Sequence, residues 1–166
     1  EPYIFCYFLG NNPPHREFAK KLRAATGCKI VALTHLDEFV KCDEDYADEK
    51  PYDVDPADFL NLIRNASYVC TDSFHCSVFS ILYKKDFFTF RRFARQTKQS
   101  TNSRLDTLFN LAGITGKIKT GDENINECLK ENVDYEVVHK NLQKIREESY
   151  DYLKKALEDK ESTDFK

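Results

Sequence analysis

The first 33 residues confine this chain to a narrow set of folds. Tyr3-Ile4-Phe5-Cys6-Tyr7-Phe8-Leu9 is an unbroken apolar and aromatic run, short enough to form a strand buried on both faces. Gly10-Asn11-Asn12 turns the chain. Pro13-Pro14 then opens a helix with Phe18, Leu22 and Ala25 on its apolar face and Gly27 as its C-cap. Cys28 to Leu33 supplies a second buried-strand run. Strand, helix and strand within about thirty residues make a βαβ unit, whose two strands are parallel.

The alternation continues. Asp55-Pro56 starts a helix with Phe59, Leu62 and Ile63 inward. Tyr68 to Thr71 reads as the third strand, Phe74 to Tyr83 as the next helix and Asp86 to Phe90 as the fourth strand. Thr34 to Asp55 interrupts the pattern with Asp37, Glu38, Asp43, Glu44, Asp45, Asp48, Glu49 and Asp53. It lacks EF-hand spacing and is expected to be a solvated acidic loop. After Phe90 a basic stretch, Arg91 to Gln99, precedes a helix with Leu105, Leu108, Phe109 and Ala112 inward and Gly113 as its stop. A last helix, Asp134 to Glu158, carries Val138, Leu142, Ile145, Leu153 and Leu157 along one side and is expected to fold back over the domain. The expected fold is α/β, a Rossmann-like open parallel sheet with helices on both faces. It forms a single domain over residues 1–158, followed by a disordered tail at 159–166.

Composition excludes several functions. Charged residues make up 32%, mean hydropathy is -0.61 and the net charge is -3, so nothing favours nucleic acid. No apolar run approaches the roughly 20 residues of a transmembrane helix, and no basic segment followed by an apolar one reads as a signal peptide. The sequence begins at Glu1 and contains no Met, which points to a fragment of a longer protein. None of the six cysteines forms a C-x-x-C pair, so no metal is expected. Cys6, Cys28 and Cys70 lie in strand runs as buried, reduced thiols, the pattern of a cytoplasmic protein. Cys76 differs, because a helix N-terminus can lower a thiol pKa. Without a secretory signal, the sequon Asn65-Ala66-Ser67 carries no weight.

In an open parallel sheet, ligands bind at the carboxyl ends of the strands. Gly10-Asn11-Asn12, His35 and Thr71 to His75 all fall there, so three loops are expected to face one crevice. In Thr71-Asp72-Ser73-Phe74-His75-Cys76-Ser77, Asp72 or Ser73 can cap the helix that follows. The imidazole of His75 then sits beside free backbone donors and the positive end of the helix dipole, a setting for phosphate or carboxylate. An ordinary strand-to-helix junction needs only the cap, so spacing alone accounts for Asp72 and Ser73 without a ligand. Arg91 and Arg92 could attract an anion or lie on a solvated loop, and Arg104 could do either on its helix.

Asp55 to Phe90 resembles the polysaccharide pyruvyl transferase family. The shared features are an acidic-Pro helix start, the turn Asn65-Ala66, the block Thr71-Asp72-Ser73-Phe74-His75 and the short strand after Lys85. Asn102-Ser103-Arg104-Leu105, Leu108 and Gly113-Ile114 resemble the family's next element, so the likeness spans roughly residues 1–115. Cys76 stands where the family usually has Gly, and Asp86 where Pro is usual. The resemblance implies a two-domain fold like that of the B-type glycosyltransferases, of which this chain would be the carboxyl-terminal half. It implies transfer of a pyruvyl group from phosphoenolpyruvate to a pair of sugar hydroxyls as a ketal, in exopolysaccharide biosynthesis and without cofactor. The acceptor would be a saccharide, free or lipid-linked. His75 would act as acid–base group or phosphate contact, Ser73 as phosphate contact, and Arg91, Arg92 and Arg104 as anion-binding groups. A sugar-nucleotide glycosyltransferase of the same architecture and a non-catalytic binding domain are the alternatives.

Overall fold

The structure, a computed structural model, describes residues 1–92 and 102–161. Five parallel strands form one sheet: β1 (Tyr3–Tyr7), β2 (Lys29–Leu33), β3 (Tyr68–Thr71), β4 (Asp86–Phe90) and β5 (Ile118–Lys119), in the order β2-β1-β3-β4-β5. The helices are α1 (Pro13–Thr26), α2 (Pro56–Asn65), α3 (Phe74–Leu82), α4 (Asn102–Ala112), α5 (Ile125–Cys128) and α6 (Tyr135–Glu161), with a short 3-10 turn at Lys41–Asp43. This is the Rossmann-like parallel sheet expected from the alternation of apolar runs.

Strand periodicity divides the core into two layers. Ile4, Cys6, Ile30, Cys70, Phe88 and Phe90 point to one face, where Phe18 and Leu22 of α1, Tyr46 and α5 cover them. Phe5, Val69 and Phe87 point to the other, under Ile63 of α2, Ile81 of α3, Phe109 of α4 and Val138 of α6. Phe18 packs 5.1 Å from both Phe88 and Phe90, centroid to centroid. Burying one such ring stabilises the fold by about 1.5–3 kcal/mol.

Local signals hold at the helix ends. Gly27 takes φ 71 and its N–H donates to the Arg23 carbonyl, closing α1 in the left-handed conformation that glycine adopts without strain. The Asp55 side chain accepts from Asp58 N at 2.8 Å and caps α2.

Several expectations change. Ala25 is exposed, and the buried face of α1 is His15, Arg16, Phe18, Ala19 and Leu22. The acidic segment is only partly a solvated loop. The Asp48 carboxylate accepts from Ile30 N at 2.8 Å, Ala32 N donates to the Glu49 carbonyl at 2.9 Å, and Glu49 N donates to the Ile30 carbonyl at 3.1 Å. These bonds cover the open edge of β2, which would otherwise present unpaired backbone groups. Asp43 is buried. Helix α6 packs on the domain only at its start: beyond Leu142 every described side chain but Ile145 is exposed, including Leu153 and Leu157. The helix also runs on to Glu161, without a break at 158. The rest of the expected tail, residues 162–166, and most of the basic stretch, residues 93–99, lie outside the described residues. Among the described residues no helix is long and apolar enough to cross a membrane.

Candidate active site

The strand order 2-1-3-4-5 reverses direction between β1 and β3, so the carboxyl ends of these two strands flank the topological switch point. Side chains from Thr71 and Asp72 tie the two ends together. Thr71 Oγ1 donates to the Tyr7 carbonyl at 2.6 Å and accepts from Ser73 N at 3.0 Å. Asp72, 3% exposed, takes Leu9 N at 2.7 Å through one carboxylate oxygen and Gly10 N at 2.9 Å through the other. Gly10 is needed for this approach: a Cβ there would lie 2.8 Å from Arg92 Cγ and 3.0 Å from Asp72 Oδ2.

The other side of the Gly10 peptide is held as firmly. Arg16, buried in α1, donates to the Gly10 carbonyl at 2.6 Å and twice to Asp43 Oδ1, at 3.0 and 2.8 Å. Asp43 Oδ2 lies 2.7 Å from His35 Nδ1. Burial alone would raise the Asp43 pKa, but the hydrogen bonds from His35 and Arg16 outweigh it and hold the carboxyl below its ordinary value. For His35, burial opposes the charge, yet the bonds to Asp43 and the Leu9 backbone raise its pKa.

On this braced floor stands α3. Ser73, not Asp72, is the cap: its Oγ accepts from Cys76 N at 3.4 Å. The Ser77 hydroxyl donates to the Ser73 carbonyl at 2.9 Å and meets Thr89 Oγ1 of β4 at 3.0 Å. His75 projects from the first turn and is exposed. With Ser73, Tyr7, Leu9, Leu33 and Phe59 it lines a depression of about 420 Å³. The Cys76 side chain is fully buried against the α2–α3–α4 layer, and burial pushes its thiol up to about 12. The lowered pKa expected from the helix N-terminus is thus overturned by desolvation. The same burial puts the thiol in the core, so a Cys in place of the family's usual Gly leaves the crevice clear.

The arginines separate. Arg92 donates to the Asp72 carbonyl at 3.4 Å, with its Nε 3.8 Å from the Asp72 carboxylate, and its own carbonyl accepts from Asn12 Nδ2 at 3.1 Å. It therefore joins the β4 exit to the clamp at the switch point. Arg104, exposed on α4, lies over the Phe74 ring at 5.2 Å, beside the turn that bears His75. Arg91 turns to α4 and pairs with both oxygens of Asp106, at 3.0 and 2.6 Å. Among the described residues no group of three His, Cys, Asp or Glu side chains is arranged to hold a metal ion. Arg16 and Asp43 are site-building residues that sequence reasoning missed. One of eight acids in a loop gives no local signal, and an arginine beside Phe18 and Ala19 on a helix reads as surface.

The model of the polysaccharide pyruvyl transferase family matches residues 1–92, more than half of the chain, including the β1–β3 clamp and His75 but not Arg104. The chain belongs to that family. Among curated proteins, none matches it. A solved structure from Listeria monocytogenes, provisionally named a UDP-N-acetylglucosamine 2-epimerase, superposes with a TM-score of 0.48 at 15% identity. That alignment covers 84% of this chain and 38% of the other, so the chain spans well under half the length of that protein. The family match ends at Arg92, short of the 115 residues over which a likeness was expected.

Proposed function

We propose that this chain is the carboxyl-terminal half of a cytoplasmic pyruvyl transferase that binds phosphoenolpyruvate at the β1/β3 switch point and delivers its pyruvyl group to a saccharide. The observation that carries this reading is His75, exposed on the first turn of α3 and lining the crevice with Ser73. A helix's first turn leaves N–H groups without intrahelical partners, and they favour an anion. Arg92 and Arg104 add positive charge on the same side, and Arg91 stands behind them against Asp106.

The chemistry needs little else from this half. One sugar hydroxyl adds to C2 of phosphoenolpyruvate while a proton reaches the methylene, making a methyl group. The second hydroxyl then displaces phosphate, which leaves with the remaining proton, and the ketal is closed. His75 is placed to deliver or accept one of these protons, and the helix terminus with Arg92 to hold phosphate or carboxylate. Ser73 contributes through the cap that orients the turn, its hydroxyl being buried. The other half of the family's two-domain architecture supplies the facing wall. The isolated chain is therefore expected to fold without turning over phosphoenolpyruvate.

The test is His75→Ala in the complete enzyme. Loss of one contact to a charged group should lower kcat/KM for phosphoenolpyruvate by about one to two decades. The melting temperature should stay nearly constant, since the side chain is exposed. Unchanged kinetics would remove His75 from the site. Thermal protection by a sugar nucleotide but not by phosphoenolpyruvate would replace the reaction with glycosyl transfer.

A further inference from the structure

The crevice at His75 does not end at Leu33. Tyr7, Leu9, Leu33 and Val54 also form one wall of a second depression, of about 260 Å³, that continues outward over the carboxyl end of β2. Its remaining walls include His35, Leu36, Asp37, Pro51 and Tyr52. The two ends of this groove differ in chemistry. The inner end offers an imidazole and a helix N-terminus. The outer end offers two large apolar side chains with no cover from the protein, Leu36 at 72% and Tyr52 at 81% exposure, beside a carboxylate and an imidazole. Uncovered apolar groups gathered in a depression mark a binding surface more often than the same groups scattered singly.

We propose that this outer depression is the acceptor subsite, in which Tyr52 and Leu36 receive the C–H face of a pyranose ring and Asp37 bonds its hydroxyls. A pyranose presents an apolar face and a polar rim, and an aromatic ring and a carboxylate lining one depression match both. Continuity with the His75 crevice selects this occupant, because a ring seated on Tyr52 can extend hydroxyls along the shared Tyr7–Leu9–Leu33 wall toward C2 of a donor held at α3. The identity of the occupant rests on the pyruvyl-transfer reading; the groove itself does not.

The experiment is saturation-transfer NMR on the enzyme with methyl glucopyranoside, galactopyranoside and mannopyranoside as probes, with phosphoenolpyruvate binding followed separately by thermal shift. At least one hexoside should receive saturation on its ring C–H protons, and Tyr52→Ala should weaken its binding about fivefold, the scale of one aromatic contact. Tyr52 is exposed, so that variant should melt with the parent protein. Tyr52→Trp should restore binding, and because the sequence has no other Trp its fluorescence should change as the hexoside is added. No saturation on any hexoside, or saturation unmoved by Tyr52→Ala, overturns the subsite. Loss of concentration-dependent self-association in Tyr52→Ala, with no hexoside signal, also overturns it and gives the groove to a second copy of the chain. Failure of phosphoenolpyruvate to bind while a Tyr52-dependent hexoside signal persists would defeat the pyruvyl donor and leave the saccharide subsite standing.

Discussion

Removing the Asp72 carboxylate should damage stability and activity together. Its two oxygens satisfy the Leu9 and Gly10 N–H groups at 2.7 and 2.9 Å, in a position almost closed to water. Hydrogen bonds to a charged group contribute about 1.5–3 kcal/mol each, so Asp72→Ala should cost about 3–6 kcal/mol. A domain has about 5–15 kcal/mol in total, and at this size one kcal/mol corresponds to about 2–4 °C. A fall in melting temperature of about 6–24 °C is expected. Asp72→Asn keeps one carbonyl acceptor and should lose about half as much. Thermal unfolding followed by far-UV circular dichroism reads both variants. A melting temperature within about 2 °C of the parent for Asp72→Ala would refute the reasoning, because it would mean that water replaces the carboxylate at no cost.

Two further predictions concern titration and thiols. His15 is buried against Phe90 at 4.6 Å, and burial, aided by the neighbouring Arg16 charge, lowers its pKa from 6.5 to about 4. Between those values the unfolded chain binds the proton and the native one does not. Stability therefore falls as the solution is acidified from pH 6.5 to about 4, by about 3 kcal/mol across the window. His15→Phe keeps an aromatic ring beside Phe90 and should flatten the melting temperature over that range; an unchanged slope would assign the acid sensitivity elsewhere. Of the six free cysteines, only Cys42 is partly exposed. A thiol reagent should therefore modify one group in the native protein and all six only on unfolding, and rapid native reaction at Cys76 would contradict its burial.

Much of the sheet could be read from residues because local and global preferences agree there. Tyr68–Thr71 and Asp86–Phe90 are apolar runs of strand length between capped helices, and they are strands over those bounds. β5 escaped because it has two residues and is flanked by charge: Lys117 and Lys119 are both buried, their ammonium groups taken up by the carbonyl and carboxylate of Glu131. A lysine that finds its partner a dozen residues away leaves no pattern in its own segment. The site shows the same division. The position of His75 follows from a strand, a cap and a helix in succession. The role of Asp72 depended on two N–H groups sixty residues earlier in the chain.

The hydroxyls of Thr71, Ser77 and Thr89, all buried, bolt the first turn of α3 to β1 on one side and β4 on the other. This separates what can vary from what cannot. His75, Arg104 and Tyr52 are exposed, while the backbone beneath α3 is fixed by side chains closed to solvent. Substitutions at the exposed positions should cost little folding stability, whereas substitutions among the buried hydroxyls would remove the platform itself. On such a scaffold the surface residues can be exchanged one at a time while the fold beneath them stays the same.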